Sequence, residues 1–146
     1  PSKRIYVSSM FNEEGKSYAI QRIQQFIEIQ NINLNIYDIN TTREFKESKS
    51  ITDDGIHVLE CPPMNSFICS FDELSNNDIL LIIIDARRKW TDADSKAFDA
   101  IKDYPCKPFI LLNCMHKDFV IEIVGNIPRK KGIFSRLKDL LLYPLR

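Results

Sequence analysis

Three consecutive residues near the start of the chain, Gly15, Lys16 and Ser17, have the types that phosphate binding requires. They complete the pattern G-x-x-x-x-G-K-[ST], in which the lysine reaches the terminal phosphates and the serine hydroxyl is a ligand of Mg²⁺. Met10 replaces the first glycine of that pattern, and Glu13 places a negative side chain close to where a phosphate would lie. The residues therefore indicate a nucleotide-binding loop that has diverged, and they leave open whether it still binds.

The chain on either side of this motif has the pattern that such a loop needs. Residues 3–7 read as a short strand, and the apolar positions of residues 16–31 recur at helical spacing. A loop between a strand and a helix holds phosphate at the helix N-terminus, where unpaired N–H groups and the helix dipole favour an anion. A chance Gly-Lys-Ser is the alternative, but this position favours descent from a nucleotide-binding loop.

Strand and helix patterns alternate along the rest of the chain. Strands are predicted at 34–39, 56–59, 79–84, 109–112 and 119–124, and helices at 68–74, 91–104 and 132–142. Residues 79–84 are apolar throughout, which is typical of a central parallel strand covered on both faces. Residues 40–55 are polar and are predicted as a surface connection. This order predicts a single wound, three-layer α/β domain over residues 1–146 with a mostly parallel sheet.

The composition is that of a soluble globular protein. The 146 residues are 44% hydrophobic, and 20 basic and 20 acidic side chains cancel to zero net charge. This balance excludes a disordered chain and removes bulk attraction to nucleic acid, so no nucleic-acid partner is expected. No apolar run approaches the roughly 20 residues of a membrane-spanning helix. The 4 cysteines and 2 histidines lack zinc-ligand spacing, which favours free thiols and a cytoplasmic location.

The run IYVSSMFNEEGKSYAIQRI resembles the start of the bacterial tyrosine kinases of polysaccharide export, within the MinD/ParA-type P-loop ATPases. Those chains read strand, Pro-Gly-Glu-Gly-Lys-Ser/Thr loop and helix. Residues 14–17 match that loop, while Asn12 and Glu13 replace its Pro-Gly. The resemblance implies a P-loop NTPase-like fold, with ATP and Mg²⁺ as cofactors and Glu14, Gly15, Lys16 and Ser17 in the nucleotide site.

The family's later motifs follow in order. The run NIYDIN supplies Asp38, with Asn40 in place of a second aspartate. The run HVLECPPM supplies Glu60 before x-Pro-Pro. The run FILLNC ends its strand at Asn113. The resemblance implies catalytic roles for Asp38 and Glu60 and a nucleotide-binding role for Asn113. It also implies Mg²⁺ contacts by Ser17 and Glu60.

Asp85 is a further candidate metal ligand, because it ends the strand ILLIII as the acid of a nucleotide-binding site does. The alternative is a strand-end carboxylate neutralised by the basic residues that follow. That run, Arg87-Arg88-Lys89, is interpreted as a solvated loop.

The C-terminal segment, residues 129–146, carries six basic side chains against one acidic one and an apolar stripe at helical spacing. It resembles the membrane-targeting tail of MinD-type ATPases, and a basic amphipathic helix can bind an anionic membrane surface. The alternative is a last helix that closes over the sheet. The chain opens on Pro1, which fits the cytoplasmic part of a longer membrane protein.

The divergence of the motifs predicts the function. We expect a degenerate domain related to the capsular and exopolysaccharide tyrosine kinases, with weak or lost catalysis. It would act through a protein partner, such as a membrane polysaccharide-export component, at the inner face of the membrane. Of the C-terminal tyrosine cluster of these kinases only Tyr143 is present.

Three other functions stay open. The first is an active Mg-ATP-dependent ATPase or tyrosine kinase. The second is a small α/β ligand-binding module with a pocket away from the loop. The third, a flavodoxin-like FMN domain, is disfavoured by Glu13 and Glu14 in the loop after the first strand.

Overall fold

The structure is a computed structural model that describes residues 3–66, 68–106 and 108–114. The chain divides into a compact unit of residues 1–114 and a second unit of residues 115–146. The predicted strand at 119–124, the helix at 132–142, the basic segment 129–146 and Tyr143 lie outside the described residues. The single domain over residues 1–146 therefore stays a prediction.

Five strands and three α-helices form the described part of the chain. The strands are β1 (Lys3–Ser9), β2 (Leu34–Asp38), β3 (Ile56–Glu60), β4 (Ile79–Asp85) and β5 (Pro108–Asn113). The helices are α1 (Lys16–Ile29), α2 (Thr42–Ser48) and α3 (Asp92–Ile101). The strands lie in the order β2-β3-β1-β4-β5, and every pair is parallel. The predicted α/β class with a parallel sheet is confirmed, and the order differs from the 2-1-3-4-5 order of flavodoxin.

The sheet is covered by helices on both faces. Side chains alternate along β1, so Tyr6 faces one side and Ile5 and Val7 face the other. The Tyr6 side packs in a buried cluster that includes Phe45 of α2 and Ile101 of α3. Helix α1 packs against β1, β3 and β2, and its buried residues belong to the opposite side. The fold therefore has three layers, with β1 at the centre of the sheet.

The strongest sequence patterns formed the predicted elements. All six residues of the ILLIII run are buried in β4, which agrees with a strand covered on both faces. Of the apolar side chains that recur at helical spacing, helix α1 buries Ile20, Ile23 and Ile27 among others, whereas Ile29 at its end is exposed. Strand β1 continues past the predicted end at Val7, because Ser8 and Ser9 also pair with β4. The buried Ser8 hydroxyl is satisfied by donating to the Pro62 carbonyl at 2.7 Å.

The prediction of a surface connection over residues 40–55 was wrong for its first half, which forms α2. The Glu44 N–H donates to the Thr41 hydroxyl at 3.2 Å, and the Thr41 N–H donates to the Glu44 carboxylate at 2.9 Å. This reciprocal capping starts the helix in a polar stretch. The helix then buries Phe45, which is 1% exposed, between the rings of Tyr6 and Phe71.

The prediction of a helix over residues 68–74 was also wrong. Only Phe71–Glu73 forms a turn of 3₁₀ helix, and Leu74 has an extended backbone. One turn is enough to bury both Phe71 and Leu74, since residues three apart lie on the same side of such a turn. This single turn therefore accounts for the apolar spacing on which the predicted helix was based.

Among residues 3–66, 68–106 and 108–114, no helix combines the length and the apolar character needed to cross a membrane. The four cysteines are free thiols: Cys61 and Cys106 are buried, Cys69 is half-buried and Cys114 is exposed. Contact with Cys69, together with burial, raises the pKa of Cys61 above its ordinary value.

Candidate phosphate-binding site

The predicted site residues converge on one edge of the sheet. Asp38, Glu60, Asp85 and Asn113 are the last residues of β2, β3, β4 and β5. Because all strands are parallel, these four ends share the edge at which β1 enters the loop of residues 10–15. Helix α1, which follows β1, packs on one face of the sheet, whereas α2 and α3 pack on the other. Ligands of open α/β sheets bind at the strand ends near such a switch point.

The backbone of residues 13–15 has the alternating φ angles that are typical of an anion nest. Glu13 and Gly15 have φ angles of 62° and 92°, while Glu14 between them has a negative φ. Alternation of left-handed and right-handed residues turns successive N–H groups toward one point, which is the geometry of a backbone anion nest. The Glu13 side chain, expected to disturb a phosphate, is exposed to solvent. The loop therefore has the φ pattern of a nest, although Met10 stands in place of the first glycine of the motif.

Helix α1 begins at this nest without a capping side chain. Gly15 is its N-cap residue, no side chain accepts from its first amides, and its first turn has no acidic residue. The positive end of the helix dipole is thus left for an anion. Lys16 opens the helix, and its half-buried side chain forms no ion pair with another residue of the described part.

The side chains of Ser17 and Glu60 bring two oxygen-bearing groups together beside the nest. The Ser17 hydroxyl donates to the Glu60 carboxylate at 3.3 Å. Asp38 stands opposite Glu60 in the β2–β3 register, so a second carboxylate follows on the neighbouring strand. Within the described residues no group of three or more His, Cys, Asp or Glu side chains could hold a metal alone. The donors fit Mg²⁺, which binds through one or two carboxylates together with substrate phosphates and water.

Asp85, the other candidate metal ligand, is paired with Arg87. The guanidinium contacts the carboxylate at 2.6 Å, and the Arg87 N–H donates to it at 2.9 Å. These bonds lower the pKa of Asp85 to about 2. This pairing agrees with the alternative interpretation of Asp85, a strand-end carboxylate neutralised by the basic residues that follow it.

Glu14 does not face the nest but is buried beneath the loop. Its carboxylate, 3% exposed, accepts from the Arg88 guanidinium at 2.6 Å and from the Phe11 N–H at 3.0 Å. Arg88 also holds the fully buried carboxylate of Asp94 in two bonds of 2.6 and 2.7 Å. The interpretation of residues 87–89 as a solvated loop was therefore wrong for Arg88, which lies under the loop of residues 10–15.

Asn113 fixes the loop from the other side. Its side-chain amide donates to the Glu14 carbonyl at 3.0 Å. A Cβ atom on Gly15 would lie 2.2 Å from the same amide nitrogen and would displace the Asn113 side chain, and the positive φ of 92° also favours glycine here. The structure thus places Asn113 against the loop backbone.

The structure brings Gly15, Lys16, Ser17 and Glu60 together at the nest and puts Asp38 next to Glu60. Sequence reasoning missed Arg88 and Asp94 as parts of the site. Thr91 followed three residues later by Asp94 was a signal for a capped helix, but nothing in the sequence joins Arg88 to Glu14, 74 residues away.

A separate cavity of about 260 Å³ lies between the end of β2 and α2. It is lined by Tyr37, Asp38, Ile39, Glu44, Glu47, Ser48 and Ile51. Its volume is below that of the usual small-molecule sites. It gives the hypothesis of a ligand-binding module only limited support.

Comparisons with known proteins agree with this geometry at the level of the fold. The chain is 26% identical over 117 residues to the tRNA modification GTPase MnmE of Finegoldia magna. The match covers 80% of this chain but 23% of that protein, so the chain spans about a quarter of the length of the curated relative. No family model and no solved structure matches the chain. The parallel sheet and the loop after β1 fit a P-loop NTPase-like fold, and the similarity to a GTPase agrees with that assignment.

Proposed function

We propose that residues 10–17 bind the phosphates of a Mg²⁺-nucleoside triphosphate. The observation that carries this proposal is the loop backbone, in which positive φ angles at Glu13 and Gly15 form a nest at the uncapped start of α1. Lys16 would contact the terminal phosphates, and Ser17 with Glu60 would hold the metal. The bound Mg²⁺ would supply charge neutralisation for the phosphates.

The second part of the proposal is that phosphoryl transfer is weak or lost. Phosphoryl transfer needs positioned phosphates, a metal and an acid that orients the nucleophile. Asp85 is held by Arg87, and Asn40 stands where the related kinases have a second aspartate. A domain that binds nucleotide without efficient transfer would act through protein contacts.

The proposed setting follows from the resemblance to the polysaccharide-export tyrosine kinases. A membrane polysaccharide-export component would be the protein partner, and residues 129–146 would contact the inner membrane surface. The named relative is a GTPase, so the base of the nucleotide has to be determined by comparing ATP with GTP.

Calorimetric titration with Mg-ATP and Mg-GTP tests the proposal. We expect one of them to bind, and we expect a Lys16→Ala variant to weaken that binding tenfold or more, since the lysine contacts phosphate directly. Lys96→Ala is the matched control, because Lys96 is an exposed lysine on α3. Absence of binding at millimolar nucleotide would overturn the proposed function.

An active ATPase or tyrosine kinase is the second candidate. It is favoured by the Ser17–Glu60 contact and by the position of Asp38 opposite Glu60. Nucleotide hydrolysis that is lost in Lys16→Ala, or autophosphorylation at Tyr143, would establish it in place of the non-catalytic proposal.

A further inference from the structure

Arg88 connects the phosphate loop to helix α3. One guanidinium binds Glu14 beneath the loop and Asp94 in the first turn of α3. Both carboxylates are buried, at 3% and 0% exposure, and Arg88 itself is 22% exposed. The three side chains therefore form a buried ionic bridge between two segments that are distant in the chain.

The bridge fits arginine and not lysine. A guanidinium presents five N–H donors in a rigid plane, so it can serve two carboxylates at once, while an ammonium is a point charge. The guanidinium carbon also lies 4.7 Å from the centre of the Phe11 ring, a cation–π contact with the loop itself. Two buried carboxylates without this cation would be strongly unfavourable.

Asp94 can influence the loop only through this bridge, as far as the described contacts show. Its carboxylate accepts from Arg88 and from the backbone and hydroxyl of Thr91, and it has no contact with residues 10–17. Glu14, in turn, holds the loop through the Phe11 N–H at 3.0 Å. A substitution at Asp94 should therefore alter the conformation of the loop because it removes the ion pair that holds Arg88 in place.

We infer that Arg88 is a positioning residue of the phosphate loop, which couples the conformation of residues 11–15 to the first turn of α3. Its effect on nucleotide affinity rests on the proposed function, whereas its effect on the order of the free loop does not. Trp90, the single tryptophan, lies beside the bridge, with the Arg88 guanidinium carbon 6.0 Å from its ring centre. It is a natural reporter of changes there.

The test compares Asp94→Asn with Thr91→Val in the full chain. Both substitutions weaken the cap of α3, but only the first removes the charge that Arg88 binds. We expect Asp94→Asn to raise the Mg-nucleotide dissociation constant about fivefold or more, as is typical of coupled sites. We also expect faster amide hydrogen exchange in residues 11–15 without nucleotide. Thr91→Val removes one hydrogen bond to Asp94 but leaves its charge with Arg88, so it should change both quantities much less than Asp94→Asn does.

The outcomes separate the two proposals. If the wild type binds no nucleotide but Asp94→Asn still accelerates exchange in the loop, the proposed function fails and the positioning role stands. Equal loop exchange in both variants and the wild type would overturn the inference. If Asp94→Asn does not fold, Arg88→Lys takes its place, since lysine keeps the charge but lacks the planar fork that binds Glu14 and, with two bonds, Asp94. Unchanged amide hydrogen exchange in residues 11–15 together with unchanged Trp90 fluorescence in Arg88→Lys would also overturn the inference.

Discussion

The Ser17 hydroxyl donates to the Glu60 carboxylate across 3.3 Å and so joins the first turn of α1 to the end of β3. The two residues are 43 positions apart in the chain, and their contact sits beside the backbone nest of the loop. Both side chains carry oxygen atoms, the kind of donor that Mg²⁺ prefers. The pair is therefore the part of the site at which metal dependence should be tested.

Glu60→Gln should reduce the dependence of nucleotide binding on Mg²⁺. Glutamine keeps the size and the hydrogen bond to Ser17 but removes the charge that a cation needs. We expect the gain in affinity on adding Mg²⁺ to fall about tenfold or more, the usual effect of disturbing a metal site. Titrations with Mg²⁺ and with EDTA measure this gain. Glu73→Gln, which removes an exposed acid paired with Lys49, is the control, and equal gains in both variants would refute a metal role for Glu60.

Gly15→Ala should destabilise the protein through the loop. A non-glycine residue at this left-handed φ is unfavourable by about 1–2 kcal/mol. The added Cβ would also lie 2.2 Å from the Asn113 amide nitrogen. We therefore expect urea unfolding to show a loss of about 2 kcal/mol or more in the free energy of unfolding.

The double variant Gly15→Ala/Asn113→Ala separates the two causes. Asn113→Ala alone removes a hydrogen bond to the loop, worth about 1 kcal/mol. In the double variant the steric conflict is gone and only the backbone strain is left. Its loss in free energy of unfolding should therefore be smaller than the sum of the two single-variant losses, by about 0.5 kcal/mol or more. Strict additivity would show that the contact with Asn113 does not constrain Gly15.

The Arg88–Asp94 pair should contribute to the stability of the protein at neutral pH and lose that contribution in acid. Arg88, with help from Thr91, holds the pKa of Asp94 well below its ordinary value. Because the carboxyl has a lower pKa in the folded state than in the unfolded state, near 3.9, the contribution is complete above about pH 5 and declines as the pH falls through and below 4.

Urea unfolding at pH 7, 5 and 3 measures this dependence. Asp94→Asn should lower stability most at pH 7 and should flatten the decline toward pH 3. Asp99→Asn is the control, since Asp99 is exposed and pairs with Lys102 on the surface. A decline in Asp94→Asn as steep as in the wild type would mean that another carboxyl dominates the acid response.

The sequence was most informative where one face or both faces of an element are apolar. The strand of residues 79–84 and the helix that begins at Lys16 could be predicted because burial imposes a period on their sequences. Helix α2 was missed because its seven residues bury only Phe45 and Ser48, too few to show a period. The spacing of Thr41 and Glu44 would have revealed it, since that pair forms a reciprocal cap.

The residues of the candidate site were also only partly predictable from the sequence. Residues adjacent in a motif, such as Lys16 and Ser17, could be assigned because the motif itself encodes their geometry. Arg88 could not, because its place is decided by carboxylates at positions 14 and 94 that only the folded sheet brings together. Its two neighbours in the sequence are exposed, so composition favoured the wrong interpretation.

The central place of β1 in the sheet bears on how the chain is made. β1 pairs with β3 and β4, which follow it by some 50 and 75 residues of chain. At roughly 5–20 residues per second of synthesis, β1 waits several seconds beside the ribosome with both hydrogen-bonding edges open. Pairing across such separations is slow and leaves apolar strands prone to aggregation. A nascent chain that ends before β4 therefore exposes β1 and is a natural client for chaperones.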